Sequence, residues 1–214
     1  MKETRRFFDE YAQDFDALYG VARNPINRML NPLLRKSMRL RFEKTLEYAA
    51  PVDGKTVLDI GCGPGHYAIA LARAGAKKVV GVDFAGEMLK LAEQKAESNG
   101  VASICQFIAA DIFEYSPDEP FDYSVLMGFM DYIADPGRAI DKAISLTREK
   151  IFFSFPRDGG LLAMQRKVRY RNRCPLYLYT ENRLNDLFAS YPNFSYRIEP
   201  ISRDYFVSLS LKKG

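Results

Sequence analysis

The chain alternates short apolar runs with longer segments in which apolar residues recur at helical spacing. The runs with strand character lie at residues 56–60, 78–83, 103–109, 121–127 and 150–155. The segments with helical spacing lie at residues 65–74, 86–98, 135–147 and from about residue 180. This alternation of strand and helix is typical of a doubly wound α/β sheet whose strands run mainly in parallel. Two more strands are predicted at residues 194–199 and 205–211.

The two ends of the chain depart from this alternation. Residues 3–19 carry apolar and aromatic positions at helical spacing and predict an amphipathic helix, and a second helical region follows from residue 25 to about residue 50. Residues 157–179 are basic, aromatic and poorly periodic. The sequence therefore predicts a helical cap over residues 1–50 and an α/β domain over residues 51–214, with residues 157–179 inserted into it.

Charge is unevenly distributed along the 214 residues, although the formal net charge is only +4. Residues 45–156 carry 10 Lys and Arg against 16 Asp and Glu, so the positive excess lies in residues 23–44 and 157–173. Such segments indicate either solvated helix faces or a basic rim that attracts an acidic substrate, a partner or a membrane surface.

Cysteine and histidine usage narrows the chemistry. The three cysteines, Cys62, Cys105 and Cys174, have neither disulfide-like nor metal-ligand spacing, and the chain has one histidine. These features predict a cytoplasmic protein without a metal site and argue against a Ser-His-Asp triad. Because no apolar run has the length of a transmembrane helix and no signal-peptide core is visible, we expect at most peripheral membrane contact.

The most informative stretch is the glycine-rich segment after the first predicted strand. It contains Asp59, Gly61, Gly63 and Gly65, and glycine lets backbone N–H groups approach a ligand closely. The third glycine of a dinucleotide fingerprint would fall at residue 66, which is His66. The segment instead resembles motif I of the class I S-adenosylmethionine (SAM)-dependent methyltransferases. The resemblance implies a Rossmann-like sheet of seven strands, mostly parallel with an antiparallel last strand, and an N-terminal helical lid.

Further positions within residues 55–156 extend the resemblance. Asp83 ends the second predicted strand, where a carboxylate can accept both hydroxyls of a ribose. The resemblance implies that Asp59 organises the loop near the SAM amino group and that Asp111 receives the adenine amino group. It places the SAM-binding positions at Asp59, Gly61, Cys62, Gly63, Gly65, Asp83, Phe84, Met88, Asp111, Ile112, Met127 and Gly128. The structural alternatives are a tight turn for the glycines, a cap for Asp83 or Asp111, and core packing for Met127.

Candidate catalytic residues surround the predicted methyl donor. Asp131 and Tyr132 follow the fourth strand, where ligands bind at the switch point of a doubly wound sheet. His66 begins the helix after the loop, and Tyr11 lies on the predicted lid helix. The alternatives are a surface loop for Asp131 and Tyr132 and a structural role for His66. A general base is needed only if the acceptor must lose a proton, and a carboxylate acceptor needs none.

The resemblance implies methyl transfer from SAM to a small-molecule acceptor, with S-adenosylhomocysteine (SAH) as the other product. We expect the methyl group to be transferred to an oxygen atom. We also expect an acidic acceptor, because the basic insertion, with Arg166, Arg169 and Arg171, is predicted to close over the acceptor together with the N-terminal helices. The layout, including the basic segment after the fifth strand and the late segment Ile201–Phe206, is also similar to the magnesium-protoporphyrin O-methyltransferase group. That group's His-Tyr pair after the fourth strand is replaced here by Tyr132 and Ile133, which argues against a porphyrin acceptor.

Other function classes are retained as alternatives. They are a SAM-binding partner protein without catalysis, an RNA methyltransferase, and a nicotinamide-dependent oxidoreductase. DNA is disfavoured as a substrate because the Asn/Asp-Pro-Pro-aromatic run of amino-methylating enzymes is absent after the fourth strand. The protein is expected to be a monomer or a homodimer.

Overall fold

A computed structural model describes residues 25–160, 163–164, 166–167 and 175–212, with side chains described from residue 36 onward. The amphipathic helix predicted at residues 3–19, with Tyr11, lies outside the described residues, as do Cys174, Arg169 and Arg171.

A single seven-stranded sheet forms the centre of the described structure. Its strands are β1 (Thr56–Ile60), β2 (Lys78–Asp83), β3 (Cys105–Ala109), β4 (Phe121–Leu126), β5 (Thr147–Pro156), β6 (Phe194–Ile201) and β7 (Asp204–Leu211). The spatial order is β3-β2-β1-β4-β5-β7-β6. Strands β1 to β5 pair in parallel, whereas β7 is antiparallel to both of its neighbours. The predicted Rossmann-like fold class is therefore confirmed.

Helices cover both faces of this sheet. They are α1 (Pro25–Ala49), α2 (His66–Arg73), α3 (Gly86–Ser98), α4 (Pro136–Ser145) and α5 (Glu181–Ala189), with a 3₁₀ turn at Met130–Tyr132. Local sequence explains where the later helices begin. The Asp135 side chain accepts a hydrogen bond from the Arg138 N–H at 3.1 Å, with Pro136 in the first turn, and the Thr180 side chain caps α5 in the same way.

Strand β5 shows how alternating side chains build two cores. Phe152 lies on one face and stacks with Phe206 of β7, in a cluster that also holds α1 and α2 residues. Phe153 lies on the opposite face and contacts Phe188 of α5, in a cluster shared with α4. Because consecutive residues of a strand point to opposite faces, one apolar run fills both layers. The sheet is therefore buried on both sides, as its apolar strands predict.

Some predicted element boundaries are wrong by a few residues. Thr147 is predicted as the end of a helix, but it is the first residue of β5 and pairs with Phe121. The Thr147 hydroxyl still donates to the Ala143 carbonyl at 2.6 Å, so this residue contacts both elements. Strand β3 begins at Cys105 rather than at residue 103, because the Ile104 and Cys105 N–H groups both bond back to the Val101 carbonyl. In the described part of the chain, no helix has the length and apolarity needed to cross a membrane.

Candidate functional site

The carboxyl ends of β1, β2 and β4 open onto a cavity of about 490 Å³. Its size lies within the usual range for small-molecule sites, and its place follows the switch-point rule for doubly wound sheets. The predicted site residues that line it are Gly61, Cys62, Gly63, His66, Asp83, Phe84, Met88, Asp111, Ile112, Met127, Gly128, Asp131 and Tyr132. Asp59 and Gly65 do not line it. The fold thus brings together side chains that are up to about 70 residues apart in the sequence.

The glycine-rich loop after β1 needs its glycines for two different reasons. Gly61 has a φ of 67°, and a Cβ there would lie 2.8 Å from Phe129 Cδ2, so both the backbone and the space exclude a side chain. Gly63 has a φ of 50° and nothing within 4 Å of where its Cβ would lie. Since Gly63 lines the cavity, the open space beside it lets a ligand approach the backbone closely.

Asp59 lies beneath this loop rather than in the cavity. Its side chain is 1% exposed, and its Oδ2 accepts a hydrogen bond from the Ala68 N–H in the first turn of α2 at 3.1 Å. Burial, together with the nearby Asp83 charge, raises the pKa of Asp59 to about 7 against the lowering effect of the Ala68 bond. The geometry gives Asp59 the role of holding the loop against α2, without direct contact with the cavity.

Asp83 combines the two roles that its sequence position allows. Its Oδ2 accepts from the Gly63 N–H at 2.9 Å, and its Oδ1 accepts from the Ala85 N–H, also at 2.9 Å, at the start of α3. The carboxylate therefore ties the glycine loop to α3 while it lines the cavity.

Asp111 also has a structural bond and a place in the cavity wall. Its Oδ1 accepts from the Phe113 N–H at 3.0 Å, which is the turn cap that its loop position predicts. Asp111 and Ile112 line the same end of the cavity as Phe84 and Met88, and the Arg138 guanidinium lies 4.2 Å from the centre of the Phe113 ring. This end is accordingly apolar with acidic edges.

The opposite end of the cavity contains buried charges from distant parts of the chain. Asp131 is 3% exposed, which excludes the surface-loop alternative, and its Oδ2 accepts a hydrogen bond from Arg166 Nη2. Arg166 Nη1 donates to Asp204 Oδ1 at 2.9 Å. Asp204 is 2% exposed, and its other oxygen, Oδ2, accepts from the Ser37 hydroxyl at 2.7 Å. One arginine therefore bridges two buried carboxylates.

Arg41 of α1 extends this charge cluster towards the end of β4. Its Nε lies 3.6 Å from Asp204 Oδ2, and its Nη1 donates to Ser154 Oγ at 3.2 Å. Ser154 Oγ also accepts from the Gly128 N–H at 2.7 Å. The loop after β4 is thereby connected to α1 through a buried serine, which sequence analysis did not single out.

The two buried aspartates have pKa values displaced in opposite directions. Burial raises the pKa of Asp131, and the Asp204 charge adds to this rise against the opposing effect of Arg166, so that the net direction is upward. Burial also acts upward on Asp204, but Arg41, Arg166 and Ser37 together hold its pKa below the ordinary value. Of the two carboxylates, Asp204 is therefore the one held in its ionised form, and Asp131 is the one that binds a proton more readily.

Residues 51–171 match the family model of the methyltransferase domain, more than half of the chain. The chain belongs to this methyltransferase family. A ubiquinone biosynthesis O-methyltransferase from Ralstonia nicotianae is 32% identical over 111 residues, which cover 51% of this chain and 46% of that relative. A 23S rRNA (uracil(1939)-C(5))-methyltransferase from Hahella chejuensis is 30% identical over 152 residues, covering 65% of this chain and 32% of that protein.

The chain spans half or less of the length of these curated relatives. A solved structure shares the fold over nearly the whole methyltransferase chain. The magnesium protoporphyrin IX methyltransferase from Synechocystis PCC 6803, with bound SAH, superposes with a TM-score of 0.81 at 19% identity, covering 97% of this chain and 98% of that one. The sheet therefore has the class I SAM-dependent methyltransferase fold.

The cavity of this methyltransferase fits the SAM that the family uses. The space beside Gly63, which a Cβ would fill, lets a ligand reach the loop backbone. Asp83 supplies an acceptor for hydroxyl groups, and the wall around Ile112 and Phe84 supplies an apolar surface for a ring. No group of three or more His, Cys, Asp or Glu among the residues that the structure describes has the arrangement of a metal site.

Arg166 of the methyltransferase differs from its predicted role. It was expected on a basic rim, but it is largely buried, and its charge is matched by Asp131 and Asp204. Asp131 lies 35 positions and Asp204 lies 38 positions from Arg166 in the sequence, so no local pattern reveals this pairing. Asp204 was missed as a site residue. The only sequence signal was its place in the late segment, Ile201–Phe206, that took part in the wider resemblance.

Proposed function

We propose that the protein transfers the methyl group of SAM to an oxygen atom of a small-molecule acceptor. The observation that carries the proposal is a cavity that both groups of residues share. It joins the glycine loop and Asp83 at one end to the buried polar cluster around Asp131 at the other. A donor and an acceptor bound in this cavity would meet near Met127 and Gly128, which line it at the end of β4. Family membership and the class I fold support methyl transfer as the chemistry.

The residues around the loop would hold SAM. The Asp83 carboxylate would accept from the ribose hydroxyls, as in other doubly wound folds. Asp111 and Ile112 would meet the adenine edge, with Phe84 and Met88 against its ring, and the loop at Gly61, Cys62 and Gly63 would present backbone groups to the amino acid part. Asp59 and Gly65 would support these contacts from below, through the Ala68 bond and through packing against Ala92.

The protein's contribution to the reaction is mainly alignment and exclusion of water. SAM supplies an activated methyl group on a positively charged sulfur. The chain's own residues orient the acceptor in line with that methyl group, and such positioning accounts for roughly 7–11 kcal/mol of barrier reduction in comparable systems. Tyr132, His66 and Asp131 line the cavity and are candidates to contact the acceptor. Tyr11 stays a prediction.

The acidic character proposed for the acceptor rests on the arginines of the cavity. Arg41, Arg166 and Arg203 lie at its acceptor end against two carboxylates, Asp131 and Asp204. An anionic group elsewhere on the acceptor would complement this excess of positive charge. The named activity of the Ralstonia relative, O-methylation, supports oxygen as the methylated atom.

An RNA acceptor is the second candidate, because the Hahella relative is named as an rRNA methyltransferase. Binding of RNA through the basic segments would weaken steeply with salt. A small-molecule acceptor would show a much smaller salt dependence, so the rate of methyl transfer at increasing salt separates the two.

The first test is the affinity for SAM of an Asp83→Ala variant, measured by calorimetry. Hydrogen bonds to charged groups contribute about 1.5–3 kcal/mol, so we expect roughly 10- to 100-fold weaker binding. Asp83→Asn keeps one oxygen acceptor and should lose less. Glu87→Ala is the matched control, since Glu87 lies nearby on α3, is exposed, and pairs only with Lys90 among the described residues. Unchanged SAM affinity in Asp83→Ala would contradict the proposed ribose contact.

A further inference from the structure

Three residues from separate parts of the chain form a buried line of charges at the acceptor end of the cavity. Asp204 lies at the start of β7, Arg166 lies in the segment between β5 and α5, and Asp131 lies in the 3₁₀ turn after β4. Arg166 donates to one oxygen of each aspartate. All three residues of this set, the Asp204–Arg166–Asp131 relay, line the cavity.

We propose, on the basis of the proposed function, that the methylated group is a hydroxyl whose proton passes to Asp131. Arg166 and Asp204 are then positioning residues for this carboxylate. The acceptor class is thus a hydroxyl compound, with any carboxylate or phosphate serving for binding only. Asp131 would be the catalytic residue, because its Oδ1 is the carboxylate oxygen of the relay that has no hydrogen-bond partner among the described residues.

The hydrogen bonds of Asp131 carry the argument. Its Oδ2 is bound by Arg166, whereas its Oδ1 is buried and has no hydrogen-bond partner within the described part of the chain. A buried carboxylate oxygen without a donor is strongly unfavourable. The complementary ligand group is therefore an O–H or N–H donor. A carboxylate acceptor has no such proton and would be repelled by Asp131.

Arg166 and Asp204 explain how Asp131 can change its charge in a buried place. Arg166 fixes Oδ2, so that Oδ1 is the oxygen left to receive a proton. When Asp131 becomes neutral, the Arg166 charge stays balanced because Asp204 also faces it, at 2.9 Å. Asp204 is in turn held by Ser37 and Arg41 of α1. Without Asp204, protonation of Asp131 would leave a buried arginine without a counter-charge.

The transfer step balances as follows. An oxygen lone pair of the acceptor forms a bond to the methyl carbon while the carbon–sulfur bond breaks, and that electron pair stays on sulfur. The hydroxyl proton moves to Asp131 Oδ1. The products are a methyl ether, neutral SAH sulfur and protonated Asp131, so the positive charge lost at sulfur equals the negative charge lost at the carboxylate.

A titration of Asp131 tests the positioning role without any acceptor. The carboxyl carbons are followed by ¹³C NMR in the SAH-bound protein, with Asp131 assigned by its loss in Asp131→Asn. The groups around it are Arg166, Arg41 of α1, Asp204 of β7 and the hydroxyls of Tyr132, Tyr177 and Tyr179. His66 and Arg203 line the same cavity.

We expect Asp131 to titrate above an ordinary aspartate, because burial and Asp204 raise its pKa. In Asp204→Asn the titration should move to lower pH, since the like charge is gone. Glu149→Gln is the control: this carboxylate is exposed, pairs with Lys55, and lies near the amino end of β5, away from the cavity. Identical titrations of Asp131 in both variants would overturn the positioning role of Asp204.

Methyl transfer tests the acceptor class. The probe is methyl-tritiated SAM incubated with a low-molecular-weight cell extract, with the labelled product identified as an alkali-stable methyl ether or an alkali-labile methyl ester. We expect ethers, roughly 10²- to 10⁴-fold slower transfer in Asp131→Asn, and no change in Glu149→Gln. Arg166→Lys, which keeps the charge but not the two-pronged geometry, should lose at least about tenfold while its SAM affinity is retained.

The outcomes separate this proposal from the proposed function. Labelled methyl esters, or any product other than an ether, would overturn the hydroxyl acceptor while methyl transfer stands. Full activity in Asp131→Asn would also overturn it. Bound SAM with no transfer to any component of the extract would overturn the proposed function and this proposal together.

Discussion

Asp59 places an acidic group in the protein interior with one hydrogen-bond donor, the Ala68 N–H, at 3.1 Å. Asp83, one strand away, has two backbone donors and a face on the cavity. Both residues lie towards the carboxyl ends of neighbouring strands, yet only Asp83 lines the cavity. Asp59 instead holds a proton up to about neutral pH, since burial raises its pKa to about 7.

This predicts how Asp59 affects stability with pH. The unfolded chain releases the proton near pH 4, whereas the folded protein keeps it to about pH 7. The stabilising contribution is therefore complete below pH 4 and is lost as the pH rises to 7. Asp59→Asn should remove this pH dependence. Between pH 4 and pH 8, the difference in free energy of unfolding between the variant and the wild type should therefore shift in favour of the variant by on the order of 2–4 kcal/mol.

Urea denaturation of both proteins at several pH values measures this difference. Asp122→Asn is a control of opposite sign, because bonds from Thr56 and nearby positive charges outweigh burial and lower the pKa of Asp122. Its contribution to stability is present above pH 4 and is lost as the pH falls through its lowered pKa. A parallel pH dependence of wild type and Asp59→Asn would contradict the assignment.

The residues that line the cavity around the glycine loop could be predicted because each occupies a fixed place relative to its own strand. Asp83 and Asp111 follow strands, and the glycines follow β1, so local order along the chain is sufficient. The acceptor end could not be predicted in this way. Arg166 can be buried because Asp131 and Asp204 pair with its charge. These two residues lie 35 and 38 positions from it in the sequence, so no local pattern reveals the pairing. When only the sequence is considered, a basic segment is predicted to be exposed to solvent.

At the scale of elements, Phe107 of β3 determines how closely β2 and the glycine loop approach each other. A Cβ on Gly81 would lie 2.7 Å from Phe107 Cδ1 and 2.9 Å from Cys62 Sγ. A Cβ on Gly65 would lie 3.1 Å from the same ring. One aromatic side chain on an outer strand thus packs against two glycines of the site.

Gly81→Ala should therefore destabilise the protein by about 1–3 kcal/mol, because neither the ring nor the sulfur lies at the end of a long flexible side chain. SAM affinity should fall as well, since the displaced Cys62 belongs to the loop. Gly86→Ala is the matched control at the start of α3. Nothing lies within 4 Å of its new Cβ, and its φ is not in the left-handed region, so a gain of about 0.4–1 kcal/mol is expected.

Chemical denaturation of the two variants, with SAM titrations, measures both effects. Equal stability of Gly81→Ala and the wild type would show that the strands have room to separate.

The type and order of the elements followed from the sequence because the apolar strands are short and well separated. Boundaries did not follow where one residue satisfies two elements. Thr147 bonds back to Ala143 of α4 and also begins β5, so helix propensity and strand pairing compete there. Strand β5 also extends to Pro156, because the antiparallel partner β7 pairs with residues 150–156, and this pairing is visible only in three dimensions.

At the scale of the whole molecule, the donor end and the acceptor end draw on different lengths of chain. The predicted SAM contacts lie between Asp59 and Gly128, within β1 to β4 and the loops and helices that connect them. The acceptor end also needs Ser37 and Arg41 of α1 and Asp204 of β7. Ligand binding at the donor end should consequently stabilise the folded state independently of any acceptor.

We expect SAM or SAH to raise the thermal midpoint of unfolding. At a ligand concentration 100 times the dissociation constant, the gain is about 2.7 kcal/mol, or roughly 5–10 °C for a chain of this size. NAD should cause no shift, because His66 replaces the third glycine of the dinucleotide pattern. A shift with NAD and none with SAM would favour the oxidoreductase alternative.

The turn between β6 and β7 is only two residues long, Ser202 and Arg203, with Ser202 at a φ of 54°. Asp204, the next residue, is fixed by this turn. A change of turn length or sequence would therefore move one carboxylate of the acceptor end while every residue of the donor end keeps its place. Substitutions confined to this turn, whether natural or selected in the laboratory, could thus change which acceptors the enzyme uses without changing its affinity for the methyl donor.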